Sequence, residues 1–566
     1  MKIQIGRSPR LPPSGPPPPG WRWLLDPLPD APVPLWMIYP VIFAALYATH
    51  FNLLRLPYWW DEAGYYIPAA WDFFRTGSLI PTSTLSNAHP PLPSIYLALW
   101  WKLSGFYPEV TREAVLMVAS LGLLGVWRLA LRIGHSVGVA FWTLVLTALY
   151  PIWFAQSTLA HADIFAAACT LWGLVYALPE HKRNPQVAAA WFWAAALSKE
   201  TSIAVPITLA AICAISACRT PRPERRKLWG EAGWMASSVL PLSVWYGWNY
   251  LKTGFLFGNP EFLRYNAEAT LTPVRILAAF GHRILHLTAH MNMFVPVALA
   301  LAALLLAPRK DAEGQERPGI APAVVRRILI LLLVNAVLFS VLGGALLCRY
   351  LLPMYPLVLV LAVSTLRQRA PWWPELALLS AAAFVAGLFI NPPYGFAPED
   401  NLAYAHAIRL EQAGIKQLAA RYRGATVLSA WPVTDELTRP ELGYVKQPWD
   451  VFAIDDFSSA QIDRAADDPG RYSAALVFST KYDPPTIFTL GRKLDERYFG
   501  MHRDLPPEAI ALRLRGTLVW KGADDGMWMG LIRFNRRIEA ERSGAASQPV
   551  SEPALAISRQ AGDPHR

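Results

Sequence analysis

The chain of 566 residues is 54% hydrophobic and 16% charged, with a mean hydropathy of +0.25. A soluble globular protein carries about 25% charged residues, so the deficit points to lipid as part of the solvent. The formal net charge of +11 does not indicate a nucleic-acid partner, because the basic residues form no single stripe and cluster instead between apolar runs.

Residues 1–34 are basic and then proline-rich (PPSGPPPPG), the composition of a cytoplasmic tail without a fold. From Trp36 to Ile390 apolar runs recur. Each is near the roughly 20 residues that a membrane-crossing helix needs. About eleven spans are expected on length and hydropathy. They fall near 35–54, 112–132, 138–157, 162–178, 187–198, 200–218, 230–249, 283–307, 325–347, 350–366 and 373–391. With the N-terminus inside, alternation places Arg128 and Arg132, Lys182 and Arg183, the run RTPRPERRK from Arg219, Arg309 to Arg327, and Arg367 with Arg369 all on the cytoplasmic side. One span count explains every basic block. The stretch 91–106 is too short to cross without inverting those blocks. Trp100, Trp101 and Lys102 mark it as an interfacial helix.

Two segments then face outward, 55–111 and everything after Asn391. The second contains a helix-like run at 402–421 and strand-like runs at 425–429, 474–479, 517–520 and 527–534. This predicts a polytopic α-helical module at 35–391 and a periplasmic or extracellular α/β domain at 392–537. A polar, disordered tail follows at 538–566. The expected location is an inner (plasma) membrane. Cys169, Cys213, Cys218 and Cys348 lie in or beside apolar runs without CxxC spacing, so they read as small apolar space-fillers.

Conspicuous charges gather in five places. Tyr58-Trp59-Trp60-Asp61-Glu62-Ala63-Gly64-Tyr65-Tyr66 puts two carboxylates and several aromatic rings directly after the first span. Apolar neighbours and a paired like charge raise a carboxyl's proton affinity, which suits a general base, although a solvated acidic pair would look the same. Ser86-Asn87-Ala88-His89-Pro90-Pro91-Leu92 opens the interfacial helix. Its prolines are explained by helix initiation, whereas His89 is free to meet phosphate or to join a carboxylate on a divalent metal. Asp163, in the run Gln156 to Asp163, starts a span as either a cap or a functional acid. Ser198-Lys199-Glu200-Thr201 breaks an apolar pattern with a charge pair. Cys348-Arg349-Tyr350-Leu351-Leu352-Pro353 offers a guanidinium suited to phosphate. The topology brings all of these to one side.

The order WWDE, HPPL, QS, D, SKE, NP, RYLLP over about residues 30–370 resembles the GT-C glycosyltransferases, in the branch of protein O-mannosyltransferases and lipid A aminoarabinose transferases. The resemblance implies a helical bundle with interfacial helices in the first outer loop, and a polyprenyl-phosphate sugar as donor. It implies a catalytic acid position at Asp61 with Glu62 beside it, and a second acidic position at Asp163. Lys199 and Arg349 match basic positions near the donor phosphate, with Tyr350 following the arginine. Phe257 to Asn266 resembles a later outer loop that closes over the site. HPPL follows the mannosyltransferase pattern, yet the carbohydrate-binding repeats of eukaryotic protein mannosyltransferases are absent.

The expected chemistry is transfer to a protein hydroxyl, lipid A or another glycolipid, with Asp61 as general base and Glu62 and Asp163 positioning. Tyr65, His89, Lys199, Glu200, Asn266, Arg349 and Tyr350 bind substrate. No metal ligand set is assigned, and a divalent metal is left open as the single cofactor option. The other expected partner is membrane lipid. The alternative, a transporter or flippase of lipid-linked substrate, calls for charges at both membrane depths and a pseudo-repeat, and the sequence has neither.

Overall fold

A computed structural model describes residues 34–180, 183–266, 271–310, 314–487 and 504–534. The tails expected at 1–34 and 538–566 fall outside these residues, apart from Pro34.

Helices fill the chain to Phe389. Pro108–Gly134 is the central one. Pro108 occupies its first turn beside Glu109, Arg132 lies in its last, and His135 ends it in the left-handed conformation. These are the end residues that helix geometry and dipole favour. It packs against Leu35–His50, Val137–Leu149 and Ala162–Ala177, and most of its residues are buried. Close approach depends on small residues. A Cβ on Gly122 would meet Trp153 at 3.1 Å, and one on Gly173 would meet the Phe192 ring at 2.4 Å. The second glycine lets Ala162–Ala177 and Pro185–Ser198 lie against each other. The two run in opposite directions, so the start of one, with Asp163, and the end of the other, next to Lys199, come to the same end of the bundle.

Among the described residues, Pro108–Gly134, Glu200–Arg219 and Pro322–Val341 are long and apolar enough to cross a membrane. The pair Pro273–Asn292 and Phe294–Ala303, bent by 97°, adds a fourth if it is one span. Leu35–His50, Val137–Leu149, Ala162–Ala177 and Trp373–Phe389 are apolar but shorter. Three expected spans are broken helices. The run 138–157 restarts at Pro151, whose ring cannot continue the preceding helix. The run 230–249 breaks at Ser237 and Ser238, whose hydroxyls bond back to the carbonyls of Trp234 and Met235. The run 283–307 bends where Met291 and Asn292 take positive φ of 47° and 65°.

Beyond Phe389 the helix Ala403–Arg421 covers a five-stranded sheet of order β2-β1-β3-β5-β4. The strands are β1 (Val427–Ala430), β2 (Val451–Ile454), β3 (Ala474–Phe478), β4 (Thr517–Asp524) and β5 (Met527–Arg533). β2, β1 and β3 are parallel, and β5 and β4 are antiparallel. β1 and β3 are buried along their whole length and read as unbroken apolar runs, as central parallel strands do. The β4–β5 hairpin turns on Asp525 and Gly526, both at positive φ, the conformation a two-residue hairpin loop demands.

The sheet module clasps the first loop of the bundle. Tyr58 donates its backbone N–H to Leu442, and Trp60 meets Trp431 edge-on at 5.0 Å. A Cβ on Gly64 would sit 2.9 Å from that same Trp431 ring.

Candidate active site

The loop after the first helix is held by a buried ion pair. Arg112 and Glu62 are both inaccessible to solvent. The Glu62 oxygens accept from Arg112 at 3.2 and 3.3 Å, from the Trp59 amide at 3.1 Å and from the Ala160 amide at 2.6 Å. Arg112 also donates to the carbonyls of Leu56, Pro57 and Thr158. Glu62 is therefore saturated by the protein, and it ties the loop to the central helix and to the turn before Asp163.

Asp61 points the other way. Trp60 before it has a φ of +50°, and a π-turn, Glu62–Tyr66, follows it. A bulky residue at positive φ next to a π-turn is backbone strain of the kind that collects at functional sites. The Asp61 carboxylate accepts from Arg349 Nη2 and remains 36% exposed.

Arg349 is the hub, and it is buried. Nη1 donates to Glu399 Oε2 at 2.5 Å and lies 3.1 Å from His161 Nδ1, while Nε is 3.4 Å from Asp163 Oδ2. Lys199 donates to Asp163 Oδ1 at 2.5 Å and sits 4.2 Å over the Tyr350 ring. Asp61, Asp163, Lys199, Arg349 and Tyr350 thus form one cluster. Buried polar atoms without a hydrogen bond collect in it: Asp163 Oδ2, Arg349 Nε and Glu399 Oε1, with Gln156 Nε2 beside His161. Asp163 Oδ2 and Arg349 Nε face each other at 3.4 Å, and all four atoms retain hydrogen-bonding capacity that a polar ligand or water can use.

A second group adjoins it. His89 Nδ1 lies 3.1 Å from Glu200 Oε2, and its ring stacks on Tyr66 at 5.6 Å and meets Tyr65 edge-on at 5.2 Å. Tyr66 is in turn 5.8 Å from His161, so an aromatic wall connects the two groups. Asn266 ends the short helix Pro260–Asn266, and its side chain lies outside the described residues.

Four participants were not singled out from the sequence. Glu399 comes from the turn Pro398–Asp400, beyond the last apolar helix. Burial pushes its carboxyl up to about 8 against the opposing pull of Arg349, and Asp61 adds to the rise. Arg112, His161 and Tyr66 are the others. The signal available for Arg112 was a cation between Glu109 and Glu113 at the head of a helix whose middle is apolar.

No family model and no curated protein matches the chain. Solved structures do. ArnT from Cupriavidus metallidurans in the apo state aligns with a TM-score of 0.50 at 14% identity, over 87% of this chain and 97% of that one. The same ArnT bound to undecaprenyl phosphate aligns with a TM-score of 0.51 at 15% identity, over 88% and 97%. At such identity the likeness is one of fold. The helical bundle and its appended sheet therefore have the architecture of ArnT, a lipid A aminoarabinose transferase of the GT-C class, in agreement with the resemblance carried by the order of the motifs.

Proposed function

We propose that this protein is a membrane glycosyltransferase that moves a sugar from a polyprenyl-phosphate carrier to an acceptor on the outer face of the membrane. The observation that carries the reading is the convergence of Asp61, Asp163 and Glu399 on Lys199 and Arg349. The ArnT structure that holds undecaprenyl phosphate supports the choice of donor. In this reading about eleven apolar runs cross the bilayer, the shorter helices included. The N-terminus is cytoplasmic and the sheet module faces outward, where it guides the acceptor.

The donor phosphate meets Arg349 and Lys199. A planar guanidinium suits two phosphate oxygens at once. A phosphate oxygen displaces Asp61 from Arg349 Nη2, and the freed carboxylate turns to the acceptor. Asp61 takes the proton of the acceptor nucleophile as that atom attacks the anomeric carbon. The bond from that carbon to the phosphate oxygen breaks, and the electron pair leaves with the polyprenyl phosphate. The leaving group departs as an anion already opposed by two cations, so no general acid is required. One displacement inverts the anomeric centre. Glu62 fixes the loop that carries Asp61, Asp163 orients Lys199 and Arg349, and Tyr65, His89, Glu200, Asn266 and Tyr350 surround the sugar and its phosphate. Acceptor candidates are a protein hydroxyl, lipid A or another glycolipid.

The test is incubation of the purified full chain with polyprenyl-phosphate sugars labelled in the sugar, in the presence of envelope lipids and proteins. Label moving to an acceptor with release of polyprenyl phosphate is expected. Donors that remain intact with every sugar and acceptor offered overturn the reading.

A further inference from the structure

Behind the Arg349–Glu399 pair lies a second cluster that the proposed transfer does not use. His290, Cys348 and Asp400 are all buried, and one ligand atom from each lies within 4.8 Å of the other two. They come from three separate turns: His290–Asn292 at the sharp bend between two helices, Cys348–Leu351, and Pro398–Asp400. We propose that these three side chains bind a divalent transition metal, with zinc the cation their donor set suits best.

The argument starts with His290. Its Nδ1 is 3.0 Å from the Tyr394 hydroxyl, and its Nε2 is 3.1 Å from Asp400 Oδ2. When Nδ1 donates to Tyr394, Nε2 presents a lone pair to a carboxylate oxygen. A cation placed there would hold both groups; without one, Nε2 donates to Asp400 Oδ2 and the Tyr394 hydroxyl donates to Nδ1. An outer hydrogen bond that fixes the tautomer and leaves the other nitrogen free is how metal-binding histidines are held. The metal-free arrangement satisfies His290 and one oxygen of Asp400 but leaves the second oxygen of that buried carboxylate unbonded. Asp400 Oδ2 already accepts from the Ala397 amide, whereas Oδ1 is buried without a partner. The Cys348 thiol lies within hydrogen-bonding reach of Asp400 and so brings a sulfur ligand to the same place.

Imidazole, thiolate and carboxylate together suit zinc, and a set containing sulfur disfavours calcium and magnesium, which take oxygen ligands. One thiolate and one carboxylate balance a dication. Binding converts the Cys348 S–H bond into a sulfur–metal bond, and the proton goes to solvent. His286, on the preceding helix Pro273–Thr288, has its Nδ1 3.3 Å from Arg283 Nη1 and stays outside the triad.

The site would position rather than catalyse. Cys348 precedes Arg349, and Asp400 follows Glu399. A metal joining Cys348 to Asp400 therefore fixes both backbone segments that carry the Arg349–Glu399 pair, and His290 anchors them to the bend in the bundle. This inference stands whether or not the donor is a polyprenyl-phosphate sugar.

The experiment uses the full chain, purified in detergent, stripped with chelator and titrated with Co²⁺ alone. Uptake of about one equivalent is expected, with a near-ultraviolet thiolate-to-cobalt absorption and the visible bands of a four-coordinate ion. Cys348→Ser should abolish the thiolate absorption, and Asp400→Asn should weaken binding by more than the roughly 10–100-fold that loss of an outer-shell partner costs. Cys213→Ser should change neither. Wild-type protein that takes up no cobalt, or cobalt uptake without the thiolate absorption, overturns the proposal; that readout needs no variant to fold. Absorption that persists in Cys348→Ser overturns it as well.

Discussion

Glu399 reaches Arg349 at 2.5 Å across fifty residues of chain, and so carries the segment beyond the last apolar helix into the centre of the bundle's charge cluster. The contact makes the sheet module part of the site. It also gives the cluster a carboxyl whose charge depends on pH near neutrality. With Glu399 protonated, Asp61 and Asp163 balance Arg349 and Lys199 one for one, and an incoming phosphate meets no excess negative charge.

The sign of the pH effect follows. Burial pushes Glu399 up to about 8, so the carboxyl is neutral below that value and gains a negative charge as pH rises through it. A unit charge about 10 Å from the donor phosphate at an effective dielectric of about 20 costs about 1.7 kcal/mol, somewhat more than tenfold in binding. The donor KM should therefore rise by roughly that factor between about pH 7 and 9.5, and Glu399→Gln, which stays neutral, should flatten the rise. Donor KM measured across this range in both proteins checks it. Parallel profiles would remove Glu399 from the phosphate's surroundings.

Asp61 is the most exposed carboxylate of the cluster and the one a phosphate can displace from Arg349. Asp61→Asn keeps the shape but loses the basic oxygen. Turnover should fall by about 10²–10⁴, the usual contribution of a positioned general base. Donor affinity should hold or improve, because Arg349 no longer has a charged competitor. Single-turnover transfer beside equilibrium donor binding separates the two effects. Near-normal turnover in the variant rejects Asp61 as the base.

The Glu62–Arg112 pair is a different case from its neighbour in sequence. Both side chains are fully buried, so Glu62→Gln leaves an arginine charge without its counterion. Breaking such a pair costs about 3–5 kcal/mol. Thermal unfolding in detergent should shift down markedly. Glu62→Gln with Arg112→Met should recover part of the loss, since removing both charges avoids the unpaired one. A double variant as unstable as the single one would mean that the carbonyl contacts of Arg112, rather than its charge pairing, hold the loop.

Much of the site was legible because charge beside apolar sequence is costly and therefore conspicuous. Asp61, Asp163, Lys199 and Arg349 each interrupt an apolar run, and in the structure all four meet. Glu399 escaped notice because it sits in an ordinary polar turn, and its burial is a tertiary fact. Glu62 and Asp61 look alike in sequence, yet a left-handed Trp60 and a π-turn send them to opposite sides. Apolar runs were legible as helices, but length alone could not locate the breaks at Pro151, at Ser237 and Ser238, or at Met291 and Asn292. In the sheet module four strands were readable from apolar runs. β2 was not, because none of its four residues is fully buried, Ala453 is exposed, and the strand lies between acidic neighbours.

The clasp between the sheet module and the first loop contains a buried acid pair. Glu411 accepts from Trp59 Nε1 at 3.2 Å and from the Tyr444 hydroxyl at 3.1 Å. Burial pushes the Glu411 carboxyl up, with these bonds opposing, and burial and then the neighbouring Glu411 push Glu436 up further. A carboxyl raised in the folded state binds its proton more tightly there than in the unfolded chain. Its stabilising contribution is fully present below the ordinary value of 4.5 and is lost as pH rises through the raised one. Wild-type stability should therefore decline from mildly acidic toward alkaline pH. Glu436→Gln removes one of the two titrating groups, so its decline should be shallower by up to one proton, or about 1.4 kcal/mol per pH unit. Chemical unfolding followed by the fluorescence of the clasp tryptophans, from about pH 5 to 9, gives both slopes. Because Trp59 lies two residues before Asp61, transfer at saturating donor should fall less at high pH in the variant than in the wild type. Equal slopes in the two proteins would show that the acid pair does not set the strength of the clasp.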